Sequence, residues 1–201
     1  MTNKKIKLCT FFGTFNPIHN AHIELAKYVE KNYNFDKIIF VPAFCPPHKT
    51  INEQMAKHRL NMVRLALEDY PQFDVSSVEF ELGDISYTYY TIQRFYELYN
   101  VDGKINFLIG TDAFWNIESW HRIDELKNLV KFLVFPRNGS NEKEKFEGLR
   151  EKGYDFDILE VEPLDISSTL VRLKKEYGQE ISQIIPPKVE EYILNNGLYE
   201  N

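Results

Sequence analysis

Ile6-Lys7-Leu8-Cys9-Thr10-Phe11-Phe12-Gly13-Thr14-Phe15-Asn16-Pro17-Ile18-His19-Asn20-Ala21-His22 passes from an apolar run, through a glycine-containing loop, into a stretch where Leu25, Tyr28 and Val29 recur at helical spacing. This is a strand, a loop and the start of an amphipathic helix. The same alternation continues downstream. Residues 37–41, 105–109 and 132–135 are compact apolar runs bounded by Gly, Pro, Asn or Asp, as buried parallel strands are. Leu60, Val63 and Leu67, and then Ile92, Phe95, Tyr96 and Tyr99, each form one helical stripe able to cover a sheet face. The pattern predicts an α/β protein, a doubly wound parallel sheet with helices on both faces. Right-handed crossovers put strand C-termini and helix N-termini on one edge, where ligands of such sheets bind. Function is therefore sought in the loops that follow strands.

Residues 138–148 are polar and charged and read as a solvated loop or surface helix, with strand-like sequence resuming at 156–161. The tail, 186–199, reads as a Pro-started helix closed by Gly197. One domain spanning residues 1–201 is the simplest count. With 24 Lys and Arg against 30 Asp and Glu, the formal charge of −6 argues against a general nucleic-acid binder and leaves small phosphorylated ligands allowed. At 43% hydrophobic residues the chain has enough material for a core. The apolar run near the N-terminus is too short for a signal segment or a membrane span, so a cytoplasmic protein with no membrane partner is expected. Two cysteines, Cys9 and Cys45, are expected as free thiols.

Three segments carry chemistry. His19 and His22, three apart at a helix start, share a face beside unpaired N–H groups and a positive dipole end. With Gly13 permitting close backbone approach this is a natural phosphate site, a capping loop or metal pair being the other readings. In Val41-Pro42-Ala43-Phe44-Cys45-Pro46-Pro47-His48-Lys49 the prolines preset the backbone and hold His48 and Lys49 toward the same edge. Cys45 and His48 also have metal-like spacing, so zinc shared with His19 and His22 is an alternative there. In Ile166-Ser167-Ser168-Thr169-Leu170-Val171-Arg172 serines cap a helix with Arg172 one turn in, converging on a polyphosphate or serving only as a cap.

Together these segments resemble the nucleotidyltransferases with a His-x-x-His signature, most closely the bacterial nicotinate mononucleotide adenylyltransferases. Gly13 through His22 matches the opening motif, Pro46-Pro47-His48-Lys49 the second, and Ile166 through Arg172 the closing one. Ordered minor matches lie between and after them: His58 to Val63, Ser86-Tyr87-Thr88, Leu108 to Asp112, Trp120 through Leu126, and Asn196 to Tyr199. The family usually has Gly where Phe12 stands, Asp where Asn16 stands and Gly where Ala21 stands.

The resemblance implies a Rossmann-like sheet and an enzyme of NAD biosynthesis that transfers AMP from ATP to nicotinate mononucleotide, giving deamido-NAD and pyrophosphate. A phosphate nucleophile is already ionised, so the protein needs only to align two anions and neutralise charge building on the α-phosphoryl group. The resemblance makes His22, His19, Lys49 and Arg172 catalytic. It assigns ATP to Gly13, Thr14, Phe15, His19, His22, Ser167, Ser168, Thr169 and Arg172. It assigns the mononucleotide to Asn16, His48, Lys49, Thr88, Asp112, Trp120 and His121. Mg²⁺ arrives with ATP, held mostly by phosphate and water oxygens, and no resident metal site is expected. The alternatives are nicotinamide mononucleotide or pantetheine phosphate as acceptor, or a non-catalytic nucleotide-binding regulator. The oligomeric state is left open, a homo-oligomer included.

Overall fold

The computed structural model describes residues 4–47, 50–83, 85–137, 143–162 and 165–200. Among them a six-stranded sheet runs β3-β2-β1-β4-β5-β6, with every neighbouring pair parallel. Its strands are β1 (Leu8–Gly13), β2 (Lys37–Pro42), β3 (Phe73–Val75), β4 (Ile105–Gly110), β5 (Val130–Phe135) and β6 (Phe156–Ile158). The helices are α1 (Asn20–Asn32), α2 (Glu53–Leu67), α3 (Val78–Leu82), α4 (Thr88–Leu98), α5 (Thr111–Phe114), α6 (Ile123–Leu129), α7 (Lys143–Glu151), α8 (Ser168–Glu176) and α9 (Pro187–Asn195).

The strands alternate between two cores, as side chains two apart on a pleated strand must. Ile38, Phe40, Leu108 and Leu133 pack with Val29, Val63, Val171 and Ile193 of α1, α2, α8 and α9. Ile39, Val41, Phe107, Ile109, Phe132 and Val134 pack with Ile92, Phe95, Leu126 and Leu149 of α4, α6 and α7. Helices thus cover both faces, and strand order reverses between β1 and β4.

Several boundaries differ from the sequence reading. β1 starts at Leu8, while Ile6 makes only an isolated bridge to Val101. β3 has Asp74, bound to Lys37, at its centre, so no apolar run announces it. β6 stops at Ile158. The segment read as solvated contains α7, whose Phe146 and Leu149 are buried in the second core. Two apolar residues three apart are enough for one buried turn but too few to mark a stripe. Residues 138–142 of that segment lie outside the described residues. The tail forms α9 as expected, with Gly197 at φ +57 just beyond its end.

Candidate active site

The loop after β1 turns sharply before α1. A Cβ at Gly13 would stand 2.8 Å from Cζ of Phe15, so the glycine makes room for that ring. Phe15, at φ 46 and 2% exposed, lies edge-on to Phe11 and to His22. Its side chain packs beneath the loop against Phe11 and His22.

His19 caps α1 and His22 sits in its first turn, with ring centroids 3.7 Å apart and nearly parallel. The His19 backbone N–H donates to Nδ1 of His22 at 3.2 Å, which leaves the proton of a neutral His22 on Nε2. His19 is 1% exposed, and neither ring nitrogen has a hydrogen-bond partner. Burial first, and then the Arg137 guanidinium, push the His19 pKa down to about 3. Burial, His19 and Arg137 hold His22 well below the usual histidine range. In the protein's own field both rings are therefore neutral, and positive charge comes from elsewhere.

Both rings open on a cleft of about 1040 Å³ lined by the start of α1, Asp112, the Phe135-Pro136-Arg137 segment after β5, Val161, Glu162 and Asp165-Ile166-Ser167. Arg137 donates from Nη1 to Asp112 Oδ2 at 3.0 Å. Sequence reading missed Arg137, although its place just after β5 is where the rule about strand ends points.

The closing motif makes contacts within the protein. Ser167 caps α8 by accepting from the Leu170 N–H, and it also lines the cleft. Ser168 donates to the Pro17 carbonyl at 2.8 Å. Arg172 donates to the Asn16 carbonyl at 2.8 Å and to Thr169 Oγ1 at 3.2 Å. These residues brace the first loop. The Asn16 side chain is itself held by the Tyr199 hydroxyl, which donates to Oδ1 at 2.6 Å.

Thr88, Trp120 and His121 do not line the histidine cleft. Thr88 begins α4, His121 Nε2 is 3.2 Å from the Tyr90 hydroxyl, and the His121 ring lies 4.4 Å from that of Tyr87. Trp120 meets Phe107 edge-on, and Phe12 stacks on the same Phe107 ring at 4.7 Å. Phe12, Phe107 and Trp120 belong to the core on the second face of the sheet. His48 and Lys49 lie outside the described residues. Among the described residues no group of three or more His, Cys, Asp or Glu is placed to hold a metal ion. Neither cysteine is in a disulfide: Cys45 is buried with Phe44 and Ala56, and Cys9 is buried too.

Comparison with known proteins shows the family. The model of the cytidylyltransferase-like family matches residues 10–174. A Clostridium botulinum (strain Loch Maree / Type A3) protein named "Probable nicotinate-nucleotide adenylyltransferase" is 38% identical over 94% of this chain and 96% of its own. A protein of the same name from Caldicellulosiruptor saccharolyticus is 34% identical, covering 97% of this chain and 100% of its own. The solved Plasmodium falciparum nicotinic acid mononucleotide adenylyltransferase complexed with NaAD shares the fold at a TM-score of 0.79 and 22% identity, over 98% of each chain.

Proposed function

The chain belongs to the cytidylyltransferase-like family and, within it, to the nicotinate-nucleotide adenylyltransferases, and on that premise we propose that it joins the AMP of ATP to nicotinate mononucleotide within one domain in the cytoplasm. The observation that carries this reading is His19, a buried side chain with two unpartnered ring nitrogens at a helix start beside Arg137. A buried polar group without a partner is costly, and an entering triphosphate removes that cost while the helix end and guanidinium attract it.

Nε2–H of His22 then faces the α-phosphate and donates as charge builds there, with His19 on the neighbouring phosphate oxygens. Arg137 joins them as the nearby fixed positive charge. Arg172, Ser168 and Thr169 act by holding the loop on which the histidines follow, and Ser167 meets the phosphates at the cleft wall. Asp112, tethered by Arg137, accepts from ribose hydroxyls. On the second face Thr88 and His121 serve the nicotinate carboxylate and Trp120 its ring, while His48 and Lys49 take the mononucleotide phosphate. Mg²⁺ enters as part of the ATP complex and neutralises phosphate charge. Among the described residues no helix is long and apolar enough to cross a membrane.

Pyrophosphate release from ATP with nicotinate mononucleotide, nicotinamide mononucleotide and pantetheine phosphate tests the reading. Donors aimed at a carboxylate reject an amide, which leaves one of them facing an NH₂. The acid is expected to give the highest kcat/KM. Equal values for acid and amide would overturn the acceptor assignment, and release with none of the three would overturn the enzyme reading in favour of a nucleotide-binding regulator.

A further inference from the structure

Ala43, Phe44 and Cys45 follow β2 and lead into Pro46-Pro47-His48-Lys49. All six of their backbone polar groups are bonded. The Ala43 N–H donates to the Gly13 carbonyl at 2.9 Å. Arg59 of α2 donates from Nη1 to the Ala43 carbonyl at 2.6 Å and from Nη2 to that of Phe44 at 3.0 Å. Glu79 accepts from the Phe44 N–H at 3.2 Å. Ser86 Oγ accepts from the Cys45 N–H at 3.0 Å, and the Ser86 N–H donates to the Cys45 carbonyl at 2.8 Å. Connecting loops usually leave such groups to water; this one is fastened throughout.

The two charged members are buried, Arg59 at 4% and Glu79 at 2% exposure. Burying either ion is unfavourable unless its hydrogen bonds are met, so neither is explained by packing alone. Each also bridges elements. Nη1 of Arg59 donates to the Thr14 carbonyl at 2.7 Å, tying the loop after β1 to the loop after β2. Glu79 accepts from Thr91 Oγ1 at 3.1 Å and from the Ser86 hydroxyl, tying the loop after β2 to α4, one turn below Thr88.

We propose that Arg59 and Glu79 are positioning residues: Arg59 fixes the histidine-bearing loop relative to the acceptor loop, and Glu79 fixes the acceptor loop relative to the start of α4. The proposal rests on the adenylyltransferase reading for its kinetic consequence, because in-line attack depends on how two substrates are set against each other, and a displacement of about 1 Å costs on the order of 10²-fold in rate.

The test compares Arg59→Lys, Glu79→Gln and Ser86→Ala with wild type, by steady-state kinetics, equilibrium ATP binding, thermal unfolding and amide hydrogen exchange. Glu79→Gln is expected to raise KM for the mononucleotide about tenfold with KM for ATP changed less than about twofold. Arg59→Lys is expected to lower kcat at least about tenfold while the Kd for ATP alone moves less than about twofold. Exchange at Phe44 and Cys45 accelerates in all three variants while β1 and β4 keep their protection. Activity falling only in proportion to the folded fraction, with both KM values unchanged, overturns the proposal. If the two charged variants fail to fold, Ser86→Ala decides: unchanged mononucleotide KM and unchanged exchange at Cys45 overturn it. If wild type turns over no substrate, the enzyme reading fails separately, and unchanged exchange at Phe44 in Glu79→Gln overturns the positioning role.

Discussion

His19 and His22 are neutral because burial and Arg137 make protonation unfavourable. A triphosphate beside them reverses that field, since a nearby anion stabilises the charged form of an imidazole. Binding of ATP near pH 7 is therefore expected to draw protons from solution. Calorimetry in buffers of differing ionisation enthalpy measures the uptake, and a His19→Ala/His22→Ala variant that takes up as many protons as wild type would refute the assignment. The two rings differ in role, because the proton of His22 is fixed on Nε2 by the bond at Nδ1. His22→Ala is expected to lower kcat by about 10² or more with the Kd for ATP largely kept, the behaviour of a donor used in the transition state. An unchanged kcat would remove His22 from the chemistry. The histidines were readable from the sequence because their spacing and position after a strand state their geometry. Their charge state was not, because it depends first on burial in the folded protein and then on Arg137, which lies more than a hundred positions away in the chain.

The loop after β1 is an element held from outside. Arg172 binds the Asn16 carbonyl, Ser168 that of Pro17, and Tyr199, beyond α9, the Asn16 side chain. Tyr199→Phe leaves the Asn16 oxygen without that donor and is expected to cost about 1 kcal/mol of stability, read from the denaturant midpoint at unchanged m-value. If the loop needs this latch, kcat falls alongside; full activity would confine Tyr199 to stability. The strands and long helices of this fold were legible because an apolar period of two or of three to four survives in a single sequence. β3 and α7 were not, since each buries too few apolar side chains to show a period. Arg59 gave a weak signal: it lies one turn before Val63, on the apolar stripe of α2, where an unpartnered charge is out of place. The bond of Arg172 to the Asn16 carbonyl was not legible, because a guanidinium beside serines at a helix start suits a phosphate and a backbone carbonyl equally well.

Across the whole molecule, the same histidine pair links acid stability to ligand binding. In the folded protein His19 has its pKa lowered from 6.5 to about 3, and that of His22 is lowered as well. Between those values the unfolded chain binds more protons than the folded one, so stability is full above about pH 6.5 and is lost as pH falls toward 3. Burial raises the Glu79 carboxyl and works in the opposite direction, the folded state binding its proton first. The His19→Ala/His22→Ala variant separates the two contributions: its Tm is expected to fall less than that of wild type between pH 7 and pH 5. Saturating ATP adds a second lever, because bound phosphate raises the histidine pKa values in the folded state alone and so narrows the difference in proton binding. Wild type with ATP is then expected to lose less Tm over that pH range than wild type without it, beyond the uniform rise that any ligand selective for the folded state produces. Thermal unfolding at matched ionic strength, with and without ATP at each pH, measures this. A Tm gain from ATP that stays constant or shrinks toward pH 5, with occupancy kept saturating, would show that the phosphates do not reach the histidine pair.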